Sequence, residues 1–219
     1  MKHFIENIFL SFRFDMKTMG VIFFVPVVMF AFSLSIIVLA PGIVDDRYNN
    51  IVVIQGLFIP FSCWWILYRL SEMYEEGAQE TLVPYYSKRF PVDFFRYFFL
   101  HVIGLAVLCS ILIIKYDASI LTGINVLHFI ILTLFYMLLG TSLIVLIKNV
   151  EISLTIIMIY TVLEVITQGD YMPWPHVFLF DPPINGPFLP IKLSVLGVAV
   201  IVLMVVTLIF IRRADKKPK

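Results

Sequence analysis

The chain has 219 residues, of which 61% are apolar and 14% charged, and its mean hydropathy is +0.98. Soluble domains hold about 45–50% apolar and about 25% charged residues, so an ordinary water-soluble globule is excluded and lipid is the solvent. The formal net charge of +1 says little, but the placement of the charges along the chain says more.

The first segment, Met1–Lys17, mixes Glu6, Arg13 and Asp15 with aromatics and lacks a small-residue cleavage site, so it does not read as a signal peptide. Phe4, Ile5, Ile8, Phe9, Phe12 and Met16 recur at helical spacing, with Lys2, Glu6, Arg13 and Lys17 opposite. Leu10 interrupts the polar face. The pattern predicts an amphipathic helix over 1–18, lying in the inner headgroup region and turning into the membrane near Gly20.

A helix rises about 1.5 Å per residue, so crossing a hydrocarbon core about 30 Å thick takes about 20 apolar residues. Six runs qualify: Gly20–Ala40, Ile51–Tyr68, Phe94–Ile114, Asn125–Ile147, Ile152–Gln168 and Lys192–Arg212. The fifth is the shortest. No period of two runs through them, so helices and not a barrel are expected. The predicted fold is a single all-α transmembrane domain over 1–219, with six transmembrane helices after an interfacial one. Pro26 and Pro60 fall inside the first two spans, and each removes a helix hydrogen bond.

With the N-terminus inside, Arg47, Lys115 and Lys192 alone among the 16 basic residues fall outside. This bias predicts both termini on the cytoplasmic side, and the plasma membrane is the expected location. The long outer segment, 169–191, is rich in proline and aromatics. Tyr171, Trp174, Phe178 and Phe180 are rings suited to the interface, so the segment is expected to fold against the outer membrane surface. Lys115 is expected to snorkel outward, and His101 to pack inside the bundle.

The cytoplasmic segment 69–93 stands apart. It holds Glu72, Glu75, Glu76 and Glu80, then turns basic at Lys88 and Arg89, with Pro84 and Pro91 around that turn. An acidic cluster on the basic side opposes the general bias. It is either a solvated connector or a surface that meets a positive partner.

The stretch Glu75-Glu76-Gly77-Ala78-Gln79-Glu80-Thr81-Leu82, followed by Lys88-Arg89 and then Phe94 onward, resembles the permease subunits of the second class of ABC exporters. Ala78 departs from the threonine usual there, and the basic turn is softer than the usual one. The six-span plan, amphipathic first helix, long last outer loop and basic end Phe210-Ile211-Arg212-Arg213 agree in outline. The resemblance implies a dimer of identical or related permease subunits that forms the pathway. Two separate ATPase subunits would bind ATP and magnesium. Glu75, Glu76, Gly77, Glu80, Thr81 and Leu82 would lie on or beside the coupling helix that docks on the ATPase. Glutamates would pair with basic residues there, Leu82 would anchor in an apolar notch, and Gly77 would permit a sharp break or close contact.

No Gly-x-x-x-x-Gly-Lys-Ser/Thr sequence occurs, so no cofactor is expected on this chain itself. The bilayer is its surroundings, and no nucleic-acid partner is expected. His3, His101, His128 and His176 lack metal-ligand spacing, and Cys63 and Cys109 read as small buried hydrophobes. No catalytic arrangement is legible, so the chain reads as a non-enzyme. Glu164, with Gln168 one turn later, either lines a pathway or subunit contact or reaches the outer interface. Two further classes compete with the transporter: a non-transporting six-span immunity or assembly scaffold, and a membrane-embedded enzyme. The apolar spans favour an amphipathic or apolar cargo.

Overall fold

The computed structural model describes residues 2–41, 46–74, 79–117, 121–168, 176–180 and 188–215. Among them every regular element is a helix. Six helices are long and apolar enough to cross a membrane: Leu10–Leu39, Asn49–Tyr74, Arg89–Tyr116, Gly123–Ile147, Val150–Thr167 and Ile191–Ile209. The chain is an all-α membrane protein.

The first helix, α1 (Lys2–Met19), ends where Gly20 adopts a φ of +58°. A side chain there would meet the left-handed penalty that glycine escapes. A 3₁₀ turn, Gly20–Phe24, then leads to α2 (Val25–Leu39), with Pro26 in its first turn. The predicted break at Gly20 and the predicted interruption at Pro26 are thus one irregular stretch.

The second span is built from α3 (Asp46–Val53), a π turn (Ile54–Phe58), a 3₁₀ turn (Ile59–Cys63) carrying Pro60, and α4 (Trp64–Ser71). Carbonyls at such breaks need donors, because lipid offers none. Neighbouring side chains supply them. Trp64 Nε1 donates to Ile22 O at 3.0 Å and Trp65 Nε1 to Phe23 O at 2.8 Å. His101 Nε2 lies 3.1 Å from Phe58 O, with its ring stacked on Phe58 at 4.0 Å. His101 is therefore packed inside the bundle, with a backbone-satisfying role.

Residues 79–93, read from sequence as connecting loop, instead form the start of α5 (Gln79–Tyr116). Pro84 and Pro91 each remove one donor without ending this helix. At its other end, in the last turn of α5, lies Lys115. Its ammonium donates to Ile37 O at 2.6 Å, Val38 O at 3.0 Å and Ala40 O at 2.5 Å, capping the open carbonyls of α2.

Helix α6 (Gly123–Ile147) and α7 (Val150–Thr167) meet in a two-residue turn. Lys148 takes the left-handed conformation, and Asn149 caps α7 by accepting from Ile152 N at 3.0 Å. The fifth span, the shortest in sequence, is α7 with 18 residues, about 27 Å at the helical rise. The last helix, α8 (Phe188–Asp215), runs longer than the predicted span.

At the centre lies α6, with α8, α4, the 3₁₀ turn at Pro60, α7 and α5 packed on it. Tyr136 bonds Thr161 at 3.0 Å, tying α6 to α7, and Ser142 bonds Thr207 at 3.1 Å, tying α6 to α8. Gly140 lets α6 approach the second span: a Cβ there would sit 2.6 Å from Cys63 Cβ. Cys63 and Cys109 are both buried free thiols.

Candidate functional site

The alternation of the helices gives the bundle two ends, and each carries a polar centre. At the first end, the side of α1 turned to the bundle bears Ser11, Phe12, Asp15 and Met19 at helical spacing. Asp15 is 1% exposed. Arg96 of α5 binds its Oδ2 at 2.5 Å, and the Tyr97 hydroxyl donates to the same oxygen at 2.8 Å. Arg69, in the last turn of α4, lies 3.8 Å from Oδ1 and pairs with Glu72 at 2.9 Å. Asp93 sits between Arg89 at 3.5 Å and Arg96 at 3.4 Å. Arg89 also donates to Ser11 at 2.5 Å. The guanidinium of Arg96 lies 4.9 Å from the Phe12 ring centre, and that of Arg69 5.2 Å from the Phe14 ring centre.

Three carboxylates and three guanidiniums thus face one another among aromatic rings. The Asp15, Arg69, Arg96 and Asp93 side chains are all at most 6% exposed. Charges withdrawn from water must be paired, and this arrangement pairs them. Chemically it is a clasp. Asp15 is engaged through both oxygens and is no free base. The clasp joins α1 to α4 and α5, the two helices that bracket residues 75–78.

Of the predicted coupling residues, Glu75, Glu76 and Gly77 lie outside the described residues. Glu80, Thr81 and Leu82 fall in the first turn of α5, which begins at Gln79.

At the opposite end, residues 176–180 enter the bundle as irregular chain. Gln55 grips Leu179 twice: it accepts from the backbone N–H at 2.7 Å and donates to the carbonyl at 2.9 Å. Glu164 Oε1 accepts from Val177 N at 3.3 Å and from the Tyr160 hydroxyl at 3.3 Å. His128 Nε2 lies 2.7 Å from Val177 O, and Lys192 donates to Phe178 O. Four side chains from four elements thereby hold one segment. Non-helical backbone at membrane depth is tolerated only when protein satisfies it in this way.

The interfacial expectation for this segment therefore needs correcting at Phe178, which is fully buried, and Phe180 packs beside it. Tyr171 and Trp174 lie outside the described residues. Glu164 is fully buried and its Oε2 has no hydrogen-bond partner among the described residues, while Gln168 ends α7 in the left-handed conformation with its side chain exposed. The structure does not bring the two together. His176 Nδ1 is 3.9 Å from Glu164 Oε1.

No protein family, curated protein or solved structure matches this chain. Among the described residues no group of three His, Cys, Asp or Glu side chains could hold a metal ion.

Sequence reasoning passed over Asp15, Asp93 and Gln55. The signal for Asp15 was a carboxylate between Phe12 and Met19 on an apolar helix face. The signal for Gln55 was an amide inside an apolar span, which lipid makes costly unless it is used.

Proposed function

We propose that this chain is the membrane-spanning permease subunit of an ATP-driven ABC exporter of the plasma membrane. It works as a dimer, with both termini cytoplasmic and with ATPase subunits as separate chains. One observation carries the reading: the Asp15 clasp welds α1, α4 and α5 together at the end where the glutamate-rich stretch emerges. A push on residues 75–82 would then move three helices as one body and not merely flex a connector. The buried pairing, the aromatic cover and the continuous α5 suit that mechanical role. The residues quoted for the family resemblance fall in the same part of the chain.

The test is co-purification of a phosphate-loop ATPase with the tagged chain from detergent extract. Reversing charge at Glu76 and Glu80 together (E76K with E80K) is expected to release the ATPase and leave the chain monodisperse. Undiminished co-purification of the variant refutes the coupling role, and recovery of no ATPase with the native chain refutes the transporter.

A further inference from the structure

The span Leu10–Leu39 has 30 residues, about 45 Å of helix at about 1.5 Å per residue, whereas the hydrocarbon core is about 30 Å thick. About ten residues are therefore more than the crossing needs. The break at Gly20 marks them off as Leu10–Met19, the second half of α1. The charged residues of that stretch are Arg13, Asp15 and Lys17. Asp15 is turned into the bundle and matched there by Arg96 and Arg69. Arg13 and Lys17 are exposed, and neither side chain has an ion pair, hydrogen bond or ring contact among the described residues. Four residues apart on a helix, they share one edge of the face opposite the clasp. Leu10, 59% exposed, and Phe14, 53% exposed, stand on the adjoining edge, and Val21, 87% exposed, follows just past the break.

We propose that this outer face of α1 docks on the anionic phospholipid headgroups of the leaflet it lies against, through Arg13 and Lys17. Charge selects that occupant. The single carboxylate of the stretch is drawn inward, which leaves two unmatched positive charges outward on the same helix. A cation beside an anionic bilayer surface is attracted to it, and an interfacial helix with a cationic edge next to an apolar one is held by both edges. Leu10 and Phe14 enter among the upper acyl chains while Arg13 and Lys17 meet the phosphates above them. The clasp fixes which way the face points, because Ser11 and Asp15 on the opposite side are held by Arg89 and Arg96. This surface stands apart from the transporter reading, since it needs only the bilayer.

The experiment uses the full chain in phosphatidylcholine vesicles doped with a trace of phosphatidylglycerol that carries a photoreactive group close to its ester carbonyl, or with the phosphatidylcholine counterpart. Adducts are mapped by mass spectrometry. On Leu10 and Phe14 the phosphatidylglycerol probe is expected to label about 25-fold better than its counterpart, from about five-fold for each of two cations beside an anionic headgroup. On Val162 and Ile166, on the exposed face near the far end of α7, the two probes should label alike. Arg13→Gln with Lys17→Gln should bring the α1 ratio down to the α7 ratio, whereas Arg13→Lys with Lys17→Arg should keep it. Should the double glutamine variant fail to fold by circular dichroism, the native chain in 1 M salt is the second measurement, and screening should flatten its preference. An α1 ratio no higher than that on α7 overturns the proposal, as does a preference that survives the double glutamine variant or high salt. Loss of the preference in inorganic phosphate but not in chloride of equal ionic strength overturns the assignment to a lipid. Cross-linking of two copies through Leu10→Cys, with no lipid preference, gives the face to a second copy of the chain and overturns it too.

Discussion

Removing the Asp15 carboxylate should loosen α1 from the bundle by an amount that can be worked from the geometry. A unit pair 3.8 Å apart, the Arg69 distance, is worth about 4 kcal/mol at an effective dielectric of 20, and the closer Arg96 contact adds to it. The cost of withdrawing these charges from water offsets much of this, so the gross attraction is not the net loss. Stripping one partner from a buried pair costs about 3–5 kcal/mol. Arg69 keeps Glu72 at 2.9 Å and Arg96 keeps Asp93 at 3.4 Å, so neither cation is stranded. The loss for Asp15→Ala should therefore be near the low end, about 3 kcal/mol. Tyr97→Phe removes one hydrogen bond to a charged group, about 1.5 kcal/mol. In the double variant the tyrosine should matter less, giving a coupling of about 1 kcal/mol. The assay is unfolding in mixed micelles by rising dodecyl sulfate, followed by far-ultraviolet circular dichroism. Thiol labelling of a Phe12→Cys variant would report local release of α1. A D15A variant within about 0.5 kcal/mol of the native chain, with the thiol introduced at position 12 still protected, refutes the clasp, since changes of that size are typical of uninvolved surface sites.

Substitutions at four other positions have outcomes that follow from their surroundings. Gln55→Leu leaves both backbone groups of Leu179 without their partner, so it should cost about 2–4 kcal/mol in the same unfolding assay, and Gln55→Glu should not rescue it, because a carboxylate keeps the acceptor for the N–H but sets a second acceptor against the Leu179 carbonyl. Glu164→Ala should free Val177, read as faster modification of a thiol introduced by His176→Cys, while Glu164→Gln should keep most of the protection through its amide oxygen. Gly140→Ala drives a Cβ to 2.6 Å from Cys63 Cβ, an atom fixed to the backbone, so it should destabilise by about 1–3 kcal/mol. Gly197→Ala meets open space on α8 and should stabilise by about 0.8–1 kcal/mol through helix propensity.

What the sequence determined by itself is whatever depends on local composition. The six spans follow from runs of apolar residues, the break near Gly20 from glycine's tolerance of positive φ, and the irregular turns at Pro26 and Pro60 from a missing donor. Each needs only neighbours in the chain. Proline punctuation misled at Pro84 and Pro91, because one lost bond cannot stop a helix whose remaining bonds and packing hold it together.

Only the tertiary structure decided which polar groups meet. Asp15 finds Arg96 across 81 residues, and Gln55 finds Leu179 across 124. Arg69 and Arg96, which sequence sorted only by side of the membrane, turned out to be buried partners, and the aromatic Phe178 assigned to the surface turned out to be core. The physical reason is one of range. Hydropathy is a sum over adjacent residues, whereas the pairing of a buried charge or a stray carbonyl depends on which helix faces it. That partner is chosen by packing, which no local pattern encodes.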